Sequence, residues 1–228
     1  MERTGNQDAA AKIIETVLEL LETEGYDAVQ LREVARRARV SLTTVYKLYP
    51  TRDDLMLAAV EQWLATNTYG MLTEAPEGES LRDGIVRLLR SVFEPWEHHP
   101  RMLEAYFQAR SGPRGHRLDE QGFDAILPAA SALFDDIDPD YVADIGMVLT
   151  NMTYALIGRF AAGSLEITEI LPALERIVYR LTTNNEPLAA PASAQRPQPG
   201  EAPTLVLRPS FISPYDPGPS NTGDAGPL

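Results

Sequence analysis

The chain has 228 residues, 44% of them hydrophobic, and a formal net charge of −13. This length allows one or two domains with a sizeable core, and no apolar run reaches the roughly 20 residues of a membrane-spanning helix. The absence of cysteine excludes disulfides, thiolate metal sites and thiol catalysis, and the three histidines have no partner at a metal-site spacing. The N-terminus lacks the apolar stretch of a signal peptide, so we expect a cytoplasmic protein that needs no metal or cofactor.

Positive charge is concentrated in one short window of this acidic chain. Residues 30–52 carry six cationic side chains and one anionic side chain, so the rest of the chain is even more acidic than the whole. DNA phosphates would be repelled by most of the surface and attracted to this window. A run of charge is usually only a solvated face, and the helical pattern around it must therefore decide its role.

The first sixty residues predict short helices separated by capping residues. Apolar residues recur at helical spacing between Ile13 and Leu21, and Gly25 is placed to end this first helix. A second helix is predicted at about 31–38, with its apolar residues turned inward.

A third predicted helix lies within the charged window and explains its composition. Ser41 is a good N-cap for a helix at about 42–49, which Pro50 ends, and Thr51 caps a fourth helix that continues to about Tyr69. Two short helices joined by a few residues match a helix-turn-helix unit. The outward face of its second helix carries Thr43, Thr44, Tyr46 and Lys47. Hydroxyl and ammonium donors of this kind reach phosphate oxygens and base edges in a major groove, so the pattern predicts DNA contact.

The run EGYDAVQLREVARRARVSLTTVYKLYPTRDDL resembles the DNA-binding domain of the tetracycline-repressor (TetR) family of transcription regulators. The resemblance covers about 12–60 and rests on several features. They are Gly-Tyr before the second helix, an apolar-x-x-apolar-Ala core, Val-Ser at the turn, Thr-apolar-Tyr in the recognition helix and aromatic-Pro-Thr-Arg before the fourth helix. It implies an all-α homodimer with a helix-turn-helix DNA-binding domain at 1–55 and a helical ligand-binding and dimerisation domain at 56–185.

The resemblance and the charge together give a set of DNA-binding residues. They are Gln30, Arg32, Ser41, Leu42, Thr43, Thr44, Tyr46, Lys47, Tyr49 and Arg52. Three positions depart from the family pattern, because Leu42 replaces a frequent Lys, Thr43 a frequent Gly and Leu48 a frequent second Tyr. Either the affinity for the DNA backbone is lower, or arginines such as Arg36 and Arg39 supply the missing contacts. Leu42 could instead meet a thymine methyl.

Beyond residue 60, apolar periodicity predicts helices throughout. Their ranges are about 81–97, a helix opened by Pro100, about 117–135, 141–162 and 167–181, with Asp138 and Pro139 as a cap and first helical residue.

Bulky and polarizable side chains in this region favour a ligand pocket, because a plain core would prefer Leu and Ile. The candidate ligand-binding residues are Trp63, Phe93, Trp96, Met102, Tyr106, Phe107, Met147, Asn151 and Tyr154. Ordinary core packing is the alternative for each of them. A pocket of this composition would take a small hydrophobic or amphipathic effector.

The resemblance implies that the last two helices form the dimer interface, and their composition agrees. Small residues on one helix allow close approach, and an apolar stripe runs along the other. The predicted interface residues are Gly158, Ala161, Ala162, Leu171, Leu174, Val178 and Leu181. Two-fold pairing would place two recognition helices about 34 Å apart, which predicts a pseudo-palindromic double-stranded DNA operator.

The last 43 residues, from 186 to 228, hold ten of the eighteen prolines and predict a disordered tail. Its apolar segment TLVLRPSFIS is either a docking segment or an accidental patch.

We therefore predict a ligand-responsive repressor, not an enzyme, that leaves its operator when an effector binds. One alternative is a helical ligand-binding module that has lost DNA contact. The other is a helical enzyme with a metal at Asp135, Asp136 and Asp138, but these acids flank a helix start where capping explains them, and no base accompanies them.

Overall fold

The computed structural model describes residues 2–134 and 137–183. These residues form nine α-helices with short 3-10 turns and no strand, which confirms the predicted all-α class. The helices are α1 (Glu2–Thr23), α2 (Leu31–Arg37), α3 (Leu42–Leu48), α4 (Arg52–Asn67), α5 (Leu81–His98), α6 (Pro100–Arg110), α7 (His116–Phe134), α8 (Pro139–Ala161) and α9 (Ile170–Thr182). The tail predicted at 186–228, with its segment TLVLRPSFIS, lies outside the described residues.

Side-chain capping sets several of the helix starts. The Ser41 hydroxyl accepts from the backbone N–H of Thr44 at 3.0 Å and so begins α3. Thr51 and Asp54 cap α4 reciprocally, since each side chain accepts from the backbone N–H of the other at 3.1 and 3.2 Å. The Asp138 carboxylate begins α8 by accepting from the backbone N–H groups of Asp140 and Tyr141, both at 3.0 Å. These caps confirm the starts read from the sequence and each stabilise their helix by about 1 kcal/mol.

Two helix boundaries differ from the sequence prediction by two or three residues. α4 ends at Asn67, because Tyr69–Met71 forms a 3-10 turn. α9 begins at Ile170, because Ile167–Glu169 also closes as a 3-10 turn. Both are helix ends, where one backbone turn can tighten without changing the packed face.

One continuous hydrophobic core joins the first helices to the later ones. It includes Ile13 of α1, Leu55 of α4, Met102 of α6 and Leu174 of α9, which are all fully buried. α1 packs against both α4 and α6. Residue 55, the predicted domain boundary, thus lies inside α4, and α4 is the element through which the N-terminal helices are attached to the rest.

The remaining helices pack around α5, which lies against α7 and α9, while α8 lies against α6 and α9. Gly84 permits the contact of α5 with α7, since a Cβ there would stand 2.3 Å from a methyl carbon of Leu133. None of the described helices combines the length and the apolar character needed to cross a bilayer.

Candidate DNA-binding surface and regulatory cluster

The turn between α2 and α3 is tight and specific. Arg39 adopts a left-handed conformation with φ of 56°. The backbone N–H of Val40 then donates to the carbonyl of Ala35 at 3.0 Å, which closes the end of α2. This turn sets the direction of α3, so the pair has the helix-turn-helix arrangement predicted from the sequence.

The two faces of α3 separate as predicted. Val45 is fully buried, and Tyr49 packs against the same core. On the opposite face, Thr43 and Lys47 are exposed and Tyr46 keeps about half of its surface, at 49%. An aromatic ring and an ammonium left exposed on one short helix suit a surface that is covered only when a partner binds.

Several predicted DNA-binding residues have structural contacts as well. The hydroxyl groups of Ser41 and Thr44 lie 2.7 Å apart within the α3 cap. Gln30 precedes α2 without capping it, and its amide donates to the carbonyl of Asp27 at 3.1 Å. Leu42 is half-buried against the core. Leu48, the third departure from the family pattern, is packed in the same way.

Two of the arginines in the basic window are neutralised locally. Arg36 and Arg37 both donate to Glu33 at 2.6 Å, and these hydrogen bonds lower the pKa of Glu33 to about 2. Arg37 also pairs with the Glu24 carboxylate at 2.7 Å, so two acidic groups balance the two arginines. Arg32 and Arg39 are exposed and have no side-chain partner within the described residues. Together with Lys47, which is also unpaired there, they are the cations open to phosphate.

Arg52 requires a correction. Its guanidinium donates to the carbonyl of Val29 at 2.7 Å and to that of Tyr26 at 2.5 Å, and it lies over the Tyr26 ring. These contacts tie the start of α4 to the loop before α2. We therefore reassign Arg52 from phosphate contact to a structural role.

In the helical domain, three aromatic residues form what we call the aromatic cluster: Trp63 of α4, Trp96 of α5 and Tyr106 of α6. The Trp63 and Trp96 ring centroids are 4.5 Å apart, and those of Trp96 and Tyr106 are 5.6 Å apart. Phe93 and Met102 are buried in the same core. The structure thus buries these five predicted ligand-binding residues in one core.

Two other predicted ligand-binding residues lie elsewhere. Met147 keeps 57% of its surface on the outer face of α8, and Asn151 is exposed one turn further on. Their spacing of four residues turns both away from the buried Ile145 and Leu156. Neither residue lines an interior site of this chain, so that assignment is wrong. Phe107 is half-buried near Gly158, where a Cβ would stand 3.7 Å from its ring.

Tyr154 belongs to a second group, which we call the polar cluster: Arg110, Asp119, Tyr154, Tyr69 and Tyr106. Arg110 donates to both carboxylate oxygens of Asp119, at 2.7 and 3.1 Å. The Tyr154 hydroxyl donates to Asp119 at 2.8 Å, and the Arg110 guanidinium lies 3.7 Å from the centre of its ring. Burial raises the pKa of Tyr154 to about 12. Sequence reasoning missed Arg110, Asp119 and Tyr69, because their distant positions carry no shared motif.

The predicted dimer interface also requires correction. Leu171, Leu174 and Val178 are buried in the chain's own core, and Leu181 is half-buried. The apolar stripe of α9 therefore packs mainly on α5 and α8 of the same chain. Of the small residues predicted on α8 and after it, Gly158 and Ala161 are half-buried and Ala162 is exposed.

Other residues of α8 and α9 are exposed, and several of them are apolar. Their outer faces present Ala143, Met147, Asn151, Met152, Ala155 and Tyr179. We call this set the outer α8–α9 face.

Only one of the three acids considered for an enzyme site lies within the described residues. Asp138 uses its carboxylate to cap α8, while Asp135 and Asp136 lie outside the described residues. Within 2–134 and 137–183, no group of three or more histidine or acidic side chains is placed to hold a metal ion.

Two family models match the chain in succession. The model of bacterial regulatory proteins of the tetR family matches residues 13–59, which contain α2, the turn and α3. The model of the tetracyclin repressor-like C-terminal domain matches residues 78–181, which run from the start of α5 into α9. The two matches thus cover the helix-turn-helix region and the helices that hold Arg110, Asp119 and Tyr154 of the polar cluster.

Individual proteins agree with this assignment. The chain is 27% identical to the HTH-type transcriptional repressor KstR of Rhodococcus jostii over 43% of its own length and 45% of the relative's, so it spans under half of that relative. It is also 27% identical to the HTH-type transcriptional repressor Rv3405c of Mycobacterium tuberculosis, over 69% of this chain and 73% of that one.

A solved TetR transcriptional regulator from Rhodococcus sp. RHA1 shares the fold, with a TM-score of 0.62 and 20% identity over 78% of this chain and 97% of that chain. With both domain models matched in order and the helix-turn-helix geometry in place, the chain is a member of the tetR family, a DNA-binding transcription regulator and not an enzyme.

Proposed function

We propose that this regulator is a repressor that leaves a pseudo-palindromic operator when a small hydrophobic or amphipathic effector enters its helical domain. The observation that carries the proposal is the position of α6. Its second half holds Tyr106 and Arg110, which belong to the aromatic and polar clusters. Its first turn contacts the end of α1 through Arg101.

The contact between α6 and α1 is made of directional bonds. Arg101 donates to the backbone carbonyls of Glu22, at 3.1 Å, and Thr23. His99, the residue before α6, pairs with the Glu22 carboxylate at 2.7 Å. A shift of α6 caused by an effector would therefore move the end of α1, on which the helix-turn-helix packs.

A second connection runs from α7 to α4. Arg117 pairs with the Glu61 carboxylate at 3.0 Å, and Gln121 donates to the Glu61 carbonyl at 2.9 Å. Arg114, just before α7, pairs with Asp54 in the first turn of α4. Because α4 follows α3 directly, these contacts give an effector two routes to the position of the recognition helix.

The proposed release depends on the spacing between two recognition helices and therefore requires a second copy of the chain. The outer α8–α9 face is suited to pairing with that copy. This face carries large exposed apolar side chains at Met147, Met152 and Tyr179, with small residues between them. A two-fold pairing would bury them and place two α3 helices about 34 Å apart. An effector that fits better when this spacing is wrong lowers operator affinity, commonly by about 1 to 3 kcal/mol.

The names of two relatives support repression rather than activation, since KstR and Rv3405c are both called repressors. The alternative of a ligand-binding module without DNA contact is less well supported, because α3 keeps an exposed Lys47 and Tyr46 on its outer face.

The test is a pair of titrations that measure the same coupling from two sides. Selected genomic DNA is first bound to the full chain, and hydrophobic compounds are screened for release of that DNA. For any compound that releases DNA, its affinity is then measured with and without the bound fragment. Linkage requires DNA to weaken compound binding by the factor that the compound weakens DNA binding. Unchanged compound affinity in the presence of DNA would show that the compound is not an inducer.

A further inference from the structure

We infer that the polar cluster is the polar end of the effector site, and that it selects an uncharged ligand whose polar group is a hydroxyl or a carbonyl. This inference rests on the proposed effector response and adds the chemical class of the effector. It follows from the geometry of the cluster, from its charge balance and from its connection to the aromatic cluster.

The centre of the polar cluster is a bidentate ion pair between Arg110 and Asp119. Both oxygens of Asp119 accept from Arg110, and one of them also accepts from the Tyr154 hydroxyl at 2.8 Å. Three helices, α6, α7 and α8, each contribute one of these groups. A paired guanidinium and carboxylate held by a phenol is a rigid arrangement, since each partner fixes the orientation of the next.

Two further phenols lie around this pair. Tyr106 is one turn before Arg110 on α6, and Tyr69 approaches α7, where a Cβ on Gly122 would stand 2.8 Å from its hydroxyl oxygen. Burial raises the pKa of both, and the nearby Asp119 and Tyr154 raise it further. At neutral pH the phenols therefore remain protonated and can both donate and accept hydrogen bonds.

The neighbourhood has unused hydrogen-bonding capacity. Among the described residues, the side-chain oxygens of Thr68 and Gln121 are buried without a hydrogen-bond partner. Thr68 directly precedes Tyr69, and Gln121 lies on α7 with its amide donating to the Glu61 carbonyl of α4, so both lie in segments next to the cluster. Buried polar atoms without a partner each cost about 1–3 kcal/mol, so a region that holds them gains from a ligand that brings a polar group.

Tyr106 joins the polar cluster to the aromatic cluster. Its ring centroid is 5.6 Å from that of Trp96, which in turn is 4.5 Å from that of Trp63. Trp63, Trp96 and Tyr106 are each no more than 9% exposed. A buried apolar group of rings thus adjoins a buried polar group, an order that matches a ligand with an apolar body and a single polar end.

The charge balance decides which polar end is accepted. Arg110 and Asp119 carry one positive and one negative charge, so the pair is neutral as a unit. A ligand carboxylate would have to lose its hydration and lie beside Asp119, while an ammonium would meet Arg110 at the same cost. A hydroxyl or carbonyl can exchange hydrogen bonds with the phenols without adding charge.

The experiment compares three probes of one chain length: decanol, decanamide and decanoate. Binding to the full chain without DNA is followed by intrinsic fluorescence, because the only two tryptophans are Trp63 and Trp96 of the aromatic cluster. We expect saturable binding of decanol and decanamide, about tenfold tighter than that of decanoate. Equal or tighter binding of decanoate, or no saturable binding of the two neutral probes, would overturn the inference.

The substitution Asp119→Asn tests whether the neutral Arg110–Asp119 pair sets the preference for uncharged probes. It keeps the side-chain shape but leaves Arg110 without its counter-charge, so the preference should reverse toward decanoate. The matched control is Glu175→Gln, which removes the same charge from the more exposed Arg90–Glu175 pair, whose N–O distance is also 2.7 Å. The control should keep the neutral preference, and an unreversed preference in a folded Asp119→Asn protein would contradict the inference.

Tyr154→Phe tests the same site without changing its charge and serves if Asp119→Asn does not fold. Loss of the hydroxyl should weaken decanol and decanamide several-fold and leave decanoate nearly unchanged, and equal weakening of all three would count against the inference. Failure of the proposed function gives a different result: the neutral probes would bind with this preference but would not release DNA. Conversely, DNA release by a compound that is insensitive to Asp119→Asn would overturn the inference alone.

Discussion

The guanidinium of Arg52 lies 4.3 Å from the centre of the Tyr26 ring and donates to the carbonyl of the same residue. A cation over an aromatic face, held by two carbonyls, connects the first residue of α4 to the loop that leads into α2. The position of the helix-turn-helix relative to α4 therefore depends on this contact, which a reading of charge alone assigns to DNA.

Arg52→Ala should consequently lower stability more than it changes the salt dependence of DNA binding. Loss of two hydrogen bonds from a charged group, each worth about 1.5–3 kcal/mol, is expected to lower the free energy of unfolding by a few kcal/mol. Urea unfolding measures this loss, and Arg52→Lys should restore only part of it, since an ammonium lacks the planar fork. If Arg52→Ala instead kept normal stability and lowered the salt slope of DNA binding by roughly 1, Arg52 would be a phosphate contact after all.

Lys47 is exposed on α3 and should affect the choice between DNA sequences. We expect Lys47→Ala to reduce the preference for selected over random DNA by about 1–3 kcal/mol, because a base-edge contact is lost. The control is Arg90→Ala, which removes one positive charge from an exposed position on α5. Equal weakening on both kinds of DNA would mean that Lys47 contacts only the backbone.

The outer α8–α9 face makes a prediction about assembly. Met147→Glu places a charge at an exposed position, so it should leave the chain folded and convert the proposed dimer to monomer. The control is Met71→Glu, since Met71 is 65% exposed and lies on the 3-10 turn after α4, outside the outer α8–α9 face. Sizing by sedimentation should show a dimer for Met71→Glu. A dimer for both variants would exclude Met147 from the interface.

The buried phenols predict how stability depends on pH. Tyr154 keeps its proton to about pH 12 in the folded chain, whereas an unfolded tyrosine loses it near 10. Between these values the unfolded state is deprotonated and the folded state is not, so stability is complete below pH 10 and falls as pH rises toward 12.

The expected loss from Tyr154 is on the order of 2 kcal/mol, and Tyr69 and Tyr106 should add to it. Urea unfolding at several pH values measures the fall, and the ultraviolet absorbance of tyrosinate reports the ionisation. Tyr154→Phe should make the fall shallower. Stability that stays flat from pH 10 to 12 would mean that these phenols are solvated.

The helix-turn-helix could be predicted from sequence because its determinants are local. Three features within about ten residues define α3: a serine cap, a tight turn before it, and apolar residues spaced one helical turn apart. Ser41 and Val45 lie as these features predict. The same locality explains the error at Arg52, whose partners lie 23 and 26 residues away.

The helical domain was less accessible to sequence reasoning because an apolar stripe on a helix does not reveal which surface it packs against. Periodicity identified the stripe at Leu171, Leu174 and Val178 but could not say whether it meets a partner or the chain's own α5. Asp119 and Arg110 belong to separate helices, so only their folded proximity identifies them.

The most direct measurement is nuclease footprinting on genomic fragments selected by the full-length protein. We expect one protected site with two inverted half-sites, whose centres are about 10 base pairs or a multiple apart, and loss of that footprint with Lys47→Ala. Met147→Glu should weaken it by removing the second recognition helix. Protection without a fixed site, equal on selected and random fragments, would contradict sequence-specific regulation through α3.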